Sequence, residues 1–306
     1  MKVFESPLRD ALRLLIWYPF RWLVLVLPVR AAFRLFGLMG RLHCALARRR
    51  NGRLLALYAE AGCSFDGKSA CRSFENHYID RMHIFLYPRL RRKEQIAPFV
   101  RMEGLEHLEA ARKSGRGVLI VQPHFGPVQI TLLALALHGY DPVQIGYPTD
   151  RGLSWIGRHV AFRLRMKYEG MLTAPIVSAE AHLGSVYKHL KRGGVVLSTG
   201  DMTGGGMFLG RQYELEFMGR RVRFPLGSAD LAIRTGALYV PTFIIVERSD
   251  SFRIVFEQPI EPETGDAGRD MIEMSRGFAH VAERYVRQQP HLWHHWEELG
   301  GSHARS

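Results

Sequence analysis

The residue best suited to chemistry in this sequence is His124, carried by the run Val121-Gln122-Pro123-His124-Phe125-Gly126-Pro127-Val128-Gln129. The apolar stretch before it predicts a strand that delivers the imidazole to a loop at the strand's C-terminal end, where open α/β sheets hold ligands. An imidazole there is suited to act as a general base, removing the proton of a hydroxyl as it attacks an acyl carbonyl. Such a base works best with a carboxylate that fixes its tautomer and stabilises the imidazolium. A lone His at a strand end is more often a structural hydrogen-bonder, so the residues around it have to decide. Thr203-Gly204-Gly205-Gly206 is either a plain loop or a turn whose N–H groups approach an anion or a developing oxyanion. Gly204 and Gly205 are its candidate binding residues, and it lacks the Lys-Ser/Thr ending of a nucleotide loop. In Arg220-Arg221-x-Arg223, Arg221 and Arg223 suit a phosphate group, with solvated surface charge as the alternative. No Gly-x-Ser-x-Gly elbow supplies a serine nucleophile. His294 and His295, between Trp293 and Trp296, read as packing of the C-terminal segment rather than as metal ligands.

The elements that must position these groups read as an α/β layer fold. After Pro98, short apolar runs alternate with helical stretches, which predicts a substantially parallel sheet. Strands are expected at 117–122, 143–147, 176–177, 194–198, 238–246 and 252–257, with a hairpin at 213–224 turning over 218–221. Helices are expected at 128–138, 154–168, 179–191, 228–235 and 269–288. Residues 1–93 read as mostly helical, and 94–306 as the α/β domain, with one continuous fold expected over both.

The 306 residues carry a formal charge of +13, and its distribution says more than its total. Through Lys93 there are 18 Lys and Arg against 6 Asp and Glu, whereas the rest of the chain has 24 against 23. A nucleic-acid enzyme more often spreads cations along its main groove, so a nucleic-acid partner is not expected. In residues 12–39 Leu, Val, Phe and Trp are interrupted by Arg13, Arg21, Arg30 and Arg34, with Pro19 and Pro28 as breaks. The uncharged stretches are too short for a spanning helix, which needs about 20 apolar residues. The pattern fits a helix lying in the membrane interface with its cations toward anionic headgroups, or an amphipathic helix docked on the domain. Three cysteines, none in a Cys-x-x-Cys pair, predict no disulfide framework and no structural zinc, and point to a reducing compartment.

Taken together, the sequence resembles the bacterial lipid A biosynthesis lysophospholipid acyltransferases. The likeness runs over residues 10–298 in order: Gly117-Val118-Leu119-Ile120 leading into His124-Phe125-Gly126; Lys191-Arg192-Gly193-Gly194-Val195-Val196; Asp201; and Phe217-Met218-Gly219. It continues through Ala232-Ile233-Arg234-Thr235-Gly236-Ala237 with Val240-Pro241, and closes on Pro290-His291-Leu292-Trp293-His294-His295-Trp296. The resemblance implies a glycerol-3-phosphate acyltransferase-like sheet flanked by helices behind an N-terminal membrane-associating segment. It implies acyl-ACP or acyl-CoA as donor, a lipid or glycolipid hydroxyl (or amine) as acceptor, and no cofactor or metal. It also implies work at the cytoplasmic face of the inner membrane. His124 would be the base, Phe125 and Gly126 would line the substrate site, and Arg163 and Arg165 fall in a basic run that would face the acceptor.

One position departs from the family. Gln129 stands where the His-x4-acid motif has a carboxylate, and an amide orients an imidazole without offsetting its charge. Either another carboxylate serves, or the chain is a weakened or inactive lipid-binding homologue. Asp201, after the strand at 194–198, is the expected replacement if that strand lies beside the one bearing His124; Glu214 and Glu216 are weaker candidates.

Overall fold

A computed structural model describes residues 5–172, 174–201 and 210–301. The chain runs through helices α1 (Pro7–Leu15), α2 (Arg21–Val26), α3 (Val29–Leu46), α4 (Arg48–Glu60), α5 (Ser69–Met82) and α6 (Lys93–Ile96). Then come β1 (Val100–Glu103), α7 (Glu106–Lys113), β2 (Val118–Gln122), α8 (Gln129–Leu137), β3 (Val143–Gly146), α9 (Arg163–Glu169) and β4 (Ile176–Ser178). They are followed by α10 (Gly184–Lys191), β5 (Val195–Thr199), β6 (Gln212–Phe217), β7 (Arg220–Pro225) and α11 (Gly227–Thr235). The described chain closes with β8 (Leu238–Arg248), β9 (Ser251–Phe256), α12 (Ala267–Gln288) and α13 (Trp296–Gly301).

The main sheet has the order β1-β9-β8-β2-β5-β3-β4, parallel except for the β8–β9 hairpin. Central β2 is buried at every residue, as a parallel strand covered on both faces must be, which is why Val118 to Val121 form an unbroken apolar run. Its side chains alternate between two cores. Val118 and Ile120 join Phe33, Phe36, Ile130 and Leu133 on one face, while Leu119 and Val121 join Phe278, Met274 and Trp293 on the other. Residues before Lys93 contribute to both, through Phe33 and Phe36 on one side and Leu54 and Tyr58 on the other. Strands β6 and β7 pair only with each other, in a separate two-stranded sheet.

Several expectations shift. β1 and α7, which carry no clear periodic signal, add to the expected elements; β1 is a four-residue parallel edge strand on β9. The helix expected from 179 begins at Gly184, and the one expected from 154 enters through a wide π-type turn at Gly157–Phe162. Pro19 lies in a similar turn, Ile16–Phe20, joining α1 to α2, and Pro28 separates α2 from α3. Instead of three free thiols, Cys44 and Cys71 are joined in a disulfide with Cα atoms 5.3 Å apart, and Cys63 is free. Spacing alone could not show this, because the pairing depends on how α3 packs on α5.

That packing is close. Gly37, Gly40 and Cys44 recur at helical spacing on one face of α3. A Cβ at Gly40 would stand 2.4 Å from the Cα of Glu75 in α5, inside backbone that cannot swing away. Gly52 of α4, by contrast, meets nothing within 4 Å. Gly40→Ala is therefore expected to destabilise the fold by about 1–3 kcal/mol through overpacking. Gly52→Ala should stabilise it by up to about 1 kcal/mol through helix propensity. Denaturant unfolding of the two variants checks the opposite signs.

Candidate active site

The site follows from strand register. β2 pairs with β5 in parallel, with Gln122 opposite Thr199, so His124 and Asp201 both lie two residues beyond paired positions at the same sheet edge. His124 Nδ1 stands 2.7 Å from Asp201 Oδ1, and the His124 backbone N–H donates to Asp201 Oδ2 at 2.8 Å. Trp293 Nε1–H donates to the same Oδ2 at 3.1 Å. The Asp201 side chain is fully buried, whereas a third of the His124 side chain is exposed (34%). An ionised carboxylate accepts hydrogen bonds, so Nδ1 of His124 carries the proton and Nε2 is left as the basic atom.

The C-terminal segment completes the edge. Gly126 N–H donates to Leu292 O at 2.8 Å, and His294 N–H donates to His124 O at 2.9 Å. Phe125 and Trp293 form an antiparallel bridge between these two bonds. Gly126 has φ +68°, and a Cβ there would meet Ile244 O of β8 at 2.5 Å, so the turn after His124 requires glycine. This places the His295 ring 4.4 Å from that of His124, edge to face, with His295 Nδ1 hydrogen-bonded to Glu298. His294 turns the other way, its Nε2 3.1 Å from Asn76 Nδ2 of α5. Trp293 and Trp296 supply the packing expected here, and the buried His295 ring joins it, set against Trp293 at 6.0 Å while it also meets His124. The clue in the sequence was Glu298 three residues after His295, a spacing that one helical turn brings together.

Gln129 is turned away from His124: its Nε2 donates to Gln144 Oε1 at 2.9 Å. Phe125 is buried against Phe243 and Tyr285, beneath the site rather than lining it. Arg163 is exposed at the start of α9, and Arg165 is held by Glu169 at 2.6 Å. Arg221 and Arg223 are exposed on β7, opposite Glu216 and Glu214 across the hairpin. Gly204 and Gly205 lie outside the described residues. Donor atoms of His124, Asp201 and His295 lie within 4.8 Å of one another. Both Asp201 oxygens accept hydrogen bonds from His124 and Trp293, an arrangement that suits a carboxylate–imidazole pair.

Charge is arranged accordingly. Burial pushes the His124 imidazole down, and the adjacent Asp201 charge and hydrogen bond outweigh it, so the net shift is upward from 6.5. Burial likewise pushes Asp201 up, but the His124 ring and its hydrogen bonds hold the carboxyl below its usual range. Burial lowers His294 to about 4, so it stays neutral. With its folded value raised, protonated His124 adds stability that is present at pH below 6.5 and is lost as pH rises through the folded value. NMR titration is expected to find His124 above 6.5, and Asp201→Asn to bring it down by removing the opposing charge.

Comparison with known proteins fits this geometry into a family. The chain is 25% identical, over 231 residues, to the phosphatidylinositol mannoside acyltransferases of two Mycobacterium tuberculosis strains, covering 73% of this chain and 67% of theirs. Among solved structures, the 1-acyl-sn-glycerophosphate (LPA) acyltransferase PlsC from Thermotoga maritima overlaps 85% of this chain and 99% of its own. Its sequence identity is 14% and its TM-score 0.37, a likeness that carries no argument. Residues 7–298 match the family described as bacterial lipid A biosynthesis acyltransferase. That match spans both the helical N-terminus and the His124 edge of the sheet, and the chain belongs to this acyltransferase family.

Proposed function

We propose that this acyltransferase moves a fatty acyl group from an acyl thioester, acyl-CoA or acyl-ACP, to a hydroxyl or amine of a lipid or glycolipid, with His124 as general base. The observation that carries the reading is the 2.7 Å contact of His124 Nδ1 with buried Asp201, which leaves Nε2 basic on a partly exposed ring. Asp201 supplies the carboxylate that Gln129 lacks. The acceptor oxygen attacks the thioester carbonyl directly, His124 takes its proton, and the thiol leaves, so no covalent enzyme intermediate is needed. The mycobacterial relatives, phosphatidylinositol mannoside acyltransferases by name, favour a glycolipid acceptor.

Membrane attachment belongs to the same reading. No helix of the described residues is long and apolar enough to cross a membrane. Leu8, Leu12, Leu15, Trp22 and Val26 are nevertheless exposed on α1 and α2, and the adjacent α3 carries exposed Arg30 and Arg34. Trp155 is 70% exposed beside them, because its neighbour Ser154 hydrogen-bonds Asp10 and Arg13 of α1. Apolar surface of this kind next to cations suits the interface of an anionic bilayer, here the cytoplasmic face of the inner membrane.

Release of CoA from palmitoyl-CoA with phosphatidylinositol mannoside as acceptor tests the chemistry. His124→Ala is expected to lower turnover about 10²–10⁴-fold, the usual worth of a positioned base. Asp201→Asn should lower it as well and shift the alkaline-rising limb of the pH profile to lower pH. Full activity in His124→Ala would end the proposal, and absence of turnover with any acceptor, alongside lipid binding, would favour a non-catalytic lipid-binding homologue. Flotation with phosphatidylglycerol vesicles tests attachment. The double variant Trp22→Ser, Trp155→Ser should bind more weakly, and unchanged flotation would exclude this surface.

A further inference from the structure

Helix α5 brings to the site a carboxylate that the mechanism above does not use. Asn76 and Asp80 lie four residues apart on one face of that helix. Asn76 Nδ2 reaches Leu292 O at 3.5 Å and His294 Nε2 at 3.1 Å, and the His294 backbone N–H donates to His124 O at 2.9 Å. One turn further on, Asp80 stands close enough for its charge to act on both His124 and His294. Its side chain is 16% exposed, largely withdrawn from water yet still open to it.

Among the described residues, no hydrogen bond reaches the Asp80 carboxylate. Its ion-pair neighbour is Arg81, whose Nε lies 3.9 Å from Oδ2, beyond hydrogen-bond range. The nearby imidazoles are engaged elsewhere: His83 Nδ1 with Ile79 O and Nε2 with Tyr87 OH, and His294 Nε2 with Asn76. Burial pushes the Asp80 carboxyl up, but His294, Arg81, His83 and His77 outweigh it and hold it below its ordinary 3.8. The group is therefore ionised at neutral pH and accepts only. A carboxylate drawn this far out of water gains most from O–H donors that replace the lost solvent. Arg81 already supplies a cation beside it, which favours neutral hydroxyls over an ammonium group.

We propose that Asp80 is an acceptor-binding residue whose carboxylate takes hydrogen bonds from ring hydroxyls next to the one that is acylated, on a sugar or inositol headgroup. The proposal rests on His124 being the base and names what presents the acceptor to it. A ring held at Asp80 turns a neighbouring hydroxyl toward Nε2 of the partly exposed His124 imidazole. Two hydroxyls on one carboxylate fix orientation as well as affinity, which is what direct attack on a thioester needs from an enzyme that forms no covalent intermediate.

Two measurements read this out. Calorimetric titration uses the soluble deacylated headgroups, glycerophosphoinositol with and without its mannose, on the His124→Ala protein, so that no turnover is involved. Asp80→Asn on that background is expected to weaken binding about 10–100-fold, the worth of hydrogen bonds to a charged group. Binding that requires the mannose assigns the contact to the sugar, and equal binding of both headgroups assigns it to the inositol. In the second measurement, CoA release from palmitoyl-CoA, Asp80→Asn should raise KM for phosphatidylinositol mannoside about 10-fold and leave KM for palmitoyl-CoA in place. Asp80→Glu, which keeps the carboxylate, should recover part of the loss, whereas a merely structural role would move both KM values together. Unchanged headgroup binding in Asp80→Asn, or no headgroup binding by either protein, overturns the assignment and leaves the His124 reading standing. Full activity in His124→Ala overturns that reading, while the titration decides Asp80 separately.

Discussion

A carboxylate with none of its surface in water stays ionised only if donors replace the solvent it has lost. Asp201 meets that condition with the backbone and ring N–H groups of His124 and the indole N–H of Trp293. These donors come from distant parts of the chain, and each is fixed by a different device: the β2–β5 register, the glycine turn after His124, and the bridge from Phe125 to Trp293. The interaction that tunes the imidazole is therefore also what ties the C-terminal segment to the centre of the sheet. Breaking a buried, hydrogen-bonded charge pair by removing one member typically costs about 3–5 kcal/mol, so stability and chemistry at this edge cannot be separated.

The N-terminal helices belong to the same arrangement. α3 and α5 approach until Gly40 touches the backbone of Glu75, and the Cys44–Cys71 disulfide holds them at that distance. α5 then presents Asn76 to both Leu292 O, at 3.5 Å, and the His294 ring, fixing the segment that carries Trp293 and His295. A region that reads in the sequence as a basic attachment surface thus also braces the site from behind.

How much of this was legible depends on the range of the interaction involved. The parallel sheet was readable because the strand at Val118–Gln122 has an apolar run that only a doubly covered strand explains. His124 was readable from its place at the end of that strand. Asp201 was reached by an argument about neighbouring strands, whose register no local pattern supplies. Gln129 drew attention by sequence spacing, yet the first turn of α8 points it at Gln144, because a motif spacing fixes position along a helix and not the partner. His295 was read as packing, since its closeness to His124 arises only when the chain after α12 folds back across the sheet edge. The β1 edge strand was missed because its four residues alternate weakly and its existence depends on pairing with β9.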